Sequence, residues 1–326
     1  MKISKAKKVQ FITIDENQLH QRIDNFLINF LKTVPKTLIY RIIRKGEVRV
    51  NKKRVKPSFK LSIGDIVRVP PLKIEEKNSI HSYQNLEIIK NLNNKVLYED
   101  SNILVINKPS GLAVHGGSGI NIGLIESLRV SRTDLKYLEL IHRIDRDTSG
   151  ILMIAKKRSF LRSIQEQFRI KNIRKTYVAL VKGNWDRSNK IINKPLYKNE
   201  INSVVKVDPM GKKSVTRVKV IKEFENATFI EASPITGRTH QIRVHCLSEG
   251  HPIANDNRYG DHEFDVQMKK MGLDRMFLHA MELEFFYPPI NEMLVIKAPL
   301  DIGLTKVLDK LSSLNDIAKK NSFDYL

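Results

Sequence analysis

Apolar residues recur along this chain at two spacings, and the change from one to the other divides it. Phe11-Ile12-Thr13-Ile14 predicts a short strand. Ile23, Phe26, Leu27, Phe30 and Leu31 then fall three and four apart, the spacing of one helix face. Pro35 suits the first turn of a second helix. Its apolar positions are Leu38, Ile39, Ile42 and Ile43, and Gly46 ends it. Val48-Arg49-Val50, a turn over 51–53 and Val55 predict a hairpin, and Gly64-Asp65 leads into a strand over 66–69. Periodicity fails from Leu72 to about Asn94. The pattern therefore separates a lead and strand over 1–19, a small unit over 20–80, a linker over 81–94, a large unit over 95–312 and a polar tail over 313–326.

In the large unit, short β-branched runs over 96–98, 103–106, 138–141, 151–155, 175–181, 215–222 and 227–232 predict strands. A helix is expected over 159–170, with Leu161, Ile164, Gln165 and Phe168 near one face. Thr239 suits the cap of another helix that ends before Gly250. The lysine-rich stretch 185–213 predicts strands and an exposed loop without assignable chemistry.

Charge changes the picture next. Lys and Arg exceed Asp and Glu by 22 in 326 residues, which points to a polyanionic partner. Compositional drift toward Lys, Ile and Asn explains the excess only in part, since such drift also enriches glutamate. Nucleic acid is the better expectation than a membrane, because no apolar run reaches the ~18 residues a span needs. No apolar core follows the lysines of the first ten residues, so no secretory leader is expected. A single cysteine, Cys246, excludes an intramolecular disulfide and a cysteine-cluster zinc site. A cytoplasmic protein is expected.

The densest chemistry lies between two predicted strands, at His142-Arg143-Ile144-Asp145-Arg146-Asp147-Thr148-Ser149-Gly150. Two carboxylates, two arginines and a histidine crowd into a loop, and Thr148-Ser149-Gly150 is expected to form its turn. Three other segments stand out: Asn107-Lys108-Pro109-Ser110-Gly111, Lys175-Thr176-Tyr177, and 236–245 with Arg238, His240 and Arg243. Residues 107–111 read as a structural turn, and His115 as a residue either of a cleft or of an exposed loop. A lone strand tyrosine such as Tyr177 is more often core than site. His240, His245 and His251 lack the i, i+4 pairing of a helical zinc motif, so no metal is expected. Cys246 beside His245 reads as core, because adjacent helical residues diverge by ~100°.

The loop at 142–150 resembles the signature of the RluA family of pseudouridine synthases, His-Arg-Leu-Asp-x-x-Thr-Ser-Gly, with Ile144 in place of leucine. The segments at 107–111, 175–177 and 236–245 resemble further motifs of that family, as does 255–260, where Asn255 replaces a usual glycine. Residues 255–260, 277–280 and 298–300 read as architecture. In the small unit, Arg22-Ile23-Asp24, Tyr40-Arg41 and 46–51 resemble the RNA-binding domain named after a protein of the small ribosomal subunit.

The resemblance implies an α+β catalytic domain on a mixed, mainly antiparallel sheet, preceded by a small α/β RNA-binding domain. It implies isomerisation of uridine to pseudouridine in large-subunit ribosomal RNA or its precursor particle, by a monomer and without a cofactor or metal. Asp145 would be the catalytic carboxylate, Tyr177 the aromatic against the base, and Arg243 the cation paired with Asp145. Arg143, Arg238, His240, Lys36, Arg41, Arg44 and Arg49 would contact RNA. Asp147 is the rival carboxylate, at a position the motif leaves variable. A non-catalytic assembly factor that binds ribosomal RNA is the competing class, and a synthase of the same family acting on other ribosomal or transfer RNA uridines is the other alternative; the chain lacks the nucleophile elbow of a hydrolase.

Overall fold

The computed structural model describes residues 8–31, 34, 36–72, 92, 94–116, 123–199 and 203–323. The chain divides into two compact units, Met1–Leu86 with Lys157–Ser159, and Glu87–Lys156 with Phe160–Leu326. Pro35, the side chain of Lys36 and nearly all of the expected linker lie outside the described residues.

The first unit packs helices α1 (Ile23–Phe30) and α2 (Lys36–Arg44) on a four-stranded sheet of order β1-β4-β2-β3: β1 (Gln10–Thr13), β4 (Ile66–Val69), β2 (Arg49–Val50) and β3 (Lys53–Arg54). The helical periodicity selects the core: Ile23, Phe26, Leu27, Leu31, Ile39, Ile42 and Ile43 are buried against Val50, Val67 and Val69. Phe30 departs from the expected inner face. It is exposed and stacks on Phe26 at 5.8 Å. The hairpin turn is also tighter than expected. Asn51 and Lys52 both take positive φ, so β3 starts at Lys53 and Val55 lies beyond it. Three residues behind the family likeness share one cluster. The buried Asp24 accepts from Arg22 at 2.6 Å and from the Tyr40 hydroxyl at 3.3 Å.

The second unit is built on one ten-stranded sheet. Its main path runs β10 (Ile191–Asn193), β13 (Val215–Glu223), β14 (Ala227–Pro234), β9 (Arg174–Lys182), β15 (Leu278–Tyr287), β8 (Ser149–Ala155), β6 (Ile103–Lys108) and β5 (Val96–Glu99). β16 (Glu292–Lys297) pairs with β15, and β7 (Glu139–Leu140) with β8. All these pairings are antiparallel except β15 with β8, so the expected mixed, mainly antiparallel α+β architecture holds. That parallel pairing spans two register pairs, His279 with Ser149 and Ala280 with Gly150. A separate hairpin pairs β11 (Leu196–Lys198) with β12 (Val205–Val207).

Helices α3 (Leu124–Ser131), α4 (Arg158–Arg169), α5 (Gln241–Ser248), α6 (His262–Lys270) and α7 (Ile302–Phe323) complete the order. In α4 the buried residues are Phe160, Ile164 and Gln167; of the expected stripe Ile164 is buried, and Leu161 and Phe168 pack partly buried against the same core. Gln167 turns inward because its amide completes the backbone pairing of Phe286, donating to its carbonyl at 2.8 Å and accepting its N–H at 3.1 Å. The polar residues expected as a tail continue α7 as far as Phe323. Along β9 the alternation of side chains puts Lys175, Tyr177, Ala179 and Val181 on one face. Ala179 and Val181 pack with Ile242 and Cys246 of α5, and Lys175 and Tyr177 continue that face beyond the helix.

Candidate active site

Three separated segments meet where β9 passes the start of α5. A cavity of about 300 Å³ opens there, lined by Arg143, Asp145, Lys175, Tyr177, Arg238, His240 and Arg243 among others. Such a volume is at the small end of ligand sites and suits a single nucleoside rather than a duplex.

The 141–148 loop carries Asp145 into this cavity, and the segment at 107–111 holds the loop from below. Lys108 is fully buried, and its ammonium donates to the carbonyls of Pro109, Leu112 and Arg146, each at 2.8 Å. Burial lowers its pKa to about 7, against the pull of Asp147 and Asp145. The Gly111 N–H donates to the same Arg146 carbonyl, and the Ser110 hydroxyl to that of Asp147. The turn expected of 107–111 is therefore a cradle for the signature loop, with a lysine whose burial no local pattern announces. Thr148-Ser149-Gly150 does not form the expected turn: Ser149 and Gly150 already belong to β8. Gly150 does have positive φ, and a Cβ there would stand 2.2 Å from the Ala280 carbonyl oxygen. His142 accepts the Met153 N–H at Nε2, and burial pushes its pKa down to about 3. It is a neutral structural residue.

Arg243 enters from the first turn of α5, its side chain 7% exposed. It reaches Asp145 Oδ2 through Nη1 at 3.1 Å. Its other edge is held by Asp256, which accepts from Nε and from Nη2, both at 2.7 Å. The Tyr259 ring lies under the guanidinium at 5.0 Å from its centroid. Burial opposes the charge on Arg243, but Asp256 and then Asp145 raise its pKa above the ordinary arginine value. Asp256 and Tyr259 belong to the segment read from sequence as architecture alone. They fix the cation that faces Asp145.

Thr239 does not cap α5. His240 does so in a left-handed backbone conformation (φ 53°, ψ 22°) and without a side-chain capping bond. That conformation turns its ring to the cavity, with Nε2 at 3.8 Å from Asp145 Oδ2. Burial lowers the His240 pKa, and Asp145 opposes the shift. Tyr177 lies between Ala232 and Ala280 in register on the neighbouring strands, which leaves space around its ring. Burial, then the nearby Asp145, push its phenol pKa well up, so it stays protonated. Asp147 pairs with Arg146 at 3.0 Å and is not among the cavity residues.

Arg143 and Arg238 line the cavity and are exposed, whereas His115 is exposed away from it. Lys175, part of the family-like segment 175–177 but given no role from sequence, lines the cavity and makes a long contact, 3.4 Å, to the Thr236 carbonyl. In the first unit, Arg41, Arg44 and Arg49 are exposed, and none pairs with a carboxylate among the described residues. Cys246 is core, with burial pushing its thiol up to about 12. His245 is held by Thr216 and the Lys194 carbonyl, and His251 by the Lys182 carbonyl. No cluster of metal-binding groups occurs among the described residues, and no described helix is long and apolar enough to cross a membrane.

Residues 102–248 match the family model for RNA pseudouridylate synthases, and residues 21–67 that for the S4 domain. The chain is 55% identical over 309 residues to "Ribosomal large subunit pseudouridine synthase C" of Vibrio parahaemolyticus, covering 94% of this chain and 98% of that one. To the protein of the same name from Escherichia coli it is 51% identical over 313 residues, covering 94% and 98%. Among solved structures, human RNA pseudouridylate synthase domain containing 4 superposes with a TM-score of 0.58 at 25% identity. That match covers 71% of this chain and 97% of the human one.

Proposed function

This chain belongs to the RluA-type pseudouridine synthase family and is an isomerase with an S4 RNA-binding domain, and we propose that it converts uridines of large-subunit ribosomal RNA to pseudouridine, with Asp145 as the catalytic carboxylate. The observation that carries the reading is the meeting of Asp145, Tyr177 and Arg243, from three distant segments, around one cavity. The relatives' names support the choice of RNA, and the reaction belongs to the cytoplasm.

Pseudouridine formation breaks the bond between uracil N1 and the ribose, turns the base, and joins C5 to the same sugar carbon. The C5 hydrogen leaves as a proton and N1 gains one, so no electrons are exchanged. The target uridine leaves its stack at a cost of a few kcal/mol. Arg143, exposed at the cavity rim, fills the gap it leaves. The base lies against Tyr177, where stacking on an aromatic is worth roughly 1–3 kcal/mol. Asp145 engages the ribose, and Arg243 fixes its direction through the bond from Nη1 to Oδ2 at 3.1 Å. Arg238 and His240 contact the nucleotide at the other wall, while Lys36, Arg41, Arg44 and Arg49 of the S4 domain hold phosphates.

Tritium release from C5-labelled uridine in a large-subunit ribosomal RNA transcript tests this. Wild type should release tritium and Asp145→Asn should not. Equal release by both would move the chemistry to another carboxylate. Retained RNA binding with no release by wild type, on transcript or on assembling particles, would favour a non-catalytic assembly factor.

A further inference from the structure

The neighbour of Asp145 that the reaction leaves without a defined protonation state is His240, and the bonds around it determine that state. The Val205 N–H of β12 donates to the Tyr259 hydroxyl oxygen at 3.0 Å. A backbone N–H can only donate, so the oxygen accepts there, and the single phenolic hydrogen is left for another partner. That partner is His240 Nδ1, at 2.8 Å. With the hydroxyl hydrogen directed at it, Nδ1 accepts and the ring carries its hydrogen on Nε2, the nitrogen 3.8 Å from Asp145 Oδ2. A doubly protonated ring would present a second donor to the Tyr259 oxygen and displace its hydroxyl hydrogen from the acceptor. Burial of the imidazole acts in the same direction.

Tyr259 is itself well fixed. It is buried, its backbone N–H donates to Asp256 at 3.1 Å, and its ring lies edge-to-face against His240 and under the Arg243 guanidinium. One residue thus touches both groups that face Asp145.

We propose that Tyr259 is a positioning residue for pseudouridine formation, whose hydroxyl holds His240 as the neutral Nε2–H tautomer and so keeps an uncharged donor beside Asp145 and the ribose. Arg243 supplies charge to the carboxylate, and His240 supplies a directed N–H that neither neutralises Asp145 nor competes with that arginine. This rests on the reading of Asp145 as the catalytic group.

Long-range ¹H–¹⁵N correlation spectra of the full-length protein, with the His240 ring assigned by its loss in His240→Gln, read the tautomer directly. Wild type at neutral pH should show a bare Nδ1 and a protonated Nε2, and Tyr259→Phe a mixture of tautomers. Tyr259→Phe keeps the ring under Arg243, so kcat for tritium release should fall on the order of ten- to hundredfold, the range typical for loss of an orienting partner, with KM for RNA nearly unchanged. His240→Gln retains an amide N–H and should outperform His240→Leu. In the His240→Gln background, Tyr259→Phe should cost nothing further. A protonated Nδ1 in wild type, or a Tyr259→Phe spectrum identical to wild type, would overturn the proposal. So would equal rates for the Gln and Leu variants, which decides the matter even if Tyr259→Phe does not fold. Undiminished release by Asp145→Asn would instead remove the reading beneath it and leave the tautomer result standing.

Discussion

Asp256→Asn changes one oxygen for an NH₂ at nearly constant volume, in a place where both carboxylate oxygens accept hydrogen bonds. The Asp256 side chain has no solvent exposure. Its Oδ2 accepts from Arg243 Nε, and its Oδ1 accepts from Arg243 Nη2 and from the backbone N–H groups of Arg258 and Tyr259. Either orientation of the new amide sets an NH₂ against a donor. Loss of one charge-assisted bond costs about 1.5–3 kcal/mol, and stripping a buried ion of its partner about 3–5 kcal/mol. Arg243 keeps Asp145 as a second counter-charge at 3.1 Å, so the lower part of that range, about 3 kcal/mol, is expected. Urea unfolding at an unchanged m-value measures it. In Arg243→Met the fork has nothing to hold, so the two substitutions together should cost clearly less than their sum, with a coupling above about 1 kcal/mol. Turnover should fall by about 10², the effect of a roughly 1 Å displacement at a reacting centre. A loss under about 1 kcal/mol, or strict additivity with Arg243→Met, would refute the claim that Asp256 holds the arginine.

Lys175 offers a pH test. Burial lowers its pKa to about 8, below the ordinary value near 10.4, so between these values the unfolded chain binds the extra proton and stability rises with pH. Below pH 8 the full penalty is present. Lys175→Met should therefore stabilise the protein at pH 7, by at most about 3 kcal/mol, with an advantage that shrinks from pH 8 upward in thermal melts. Gly150→Ala should destabilise by more than about 4 kcal/mol, because its Cβ would meet the Ala280 backbone at positive φ. Differential scanning calorimetry should show a Tm lower by on the order of 10 °C, or no soluble protein. Replacing Arg41, Arg44 and Arg49 together by glutamine should lower the slope of log affinity for RNA against log salt by about 2, at some 0.7 per phosphate lost, as measured by filter binding.

The sequence made the proposed catalytic group legible and its support illegible. Asp145, Tyr177 and Arg243 stand in long motifs, and their convergence follows the likeness. The α1 and α2 faces follow from periodicity, because a 3.6-residue repeat directly reports which side is covered. Lys108 could not be placed, since one of the three carbonyls that receive its ammonium, that of Arg146, comes from a loop far along the chain. Asp256 and Tyr259 look like turn residues because their partners lie in α5, a separate segment. With Thr239 as the expected cap, His240 would open the helix. It reaches Asp145 instead as a left-handed residue at the helix entrance, a conformation that no side-chain pattern encodes.

The parallel seam between β15 and β8 has a consequence for the order in which the proposed site is assembled. Asp145 leads into β8, and Tyr177 and Arg243 belong with β9 and α5 on the far side of β15 in the sheet order. On the main path of the sheet, β15 is the strand that joins these two groups, and it is encoded after all of them, at 278–287. A ribosome synthesising this chain thus releases the carboxylate, the aromatic and the cation well before the strand that aligns them. A nascent chain that ends before β15 carries the site residues without the strand between them. The sheet that brings the proposed site residues together is complete only once β15 has emerged, when the S4 domain has long been free to fold.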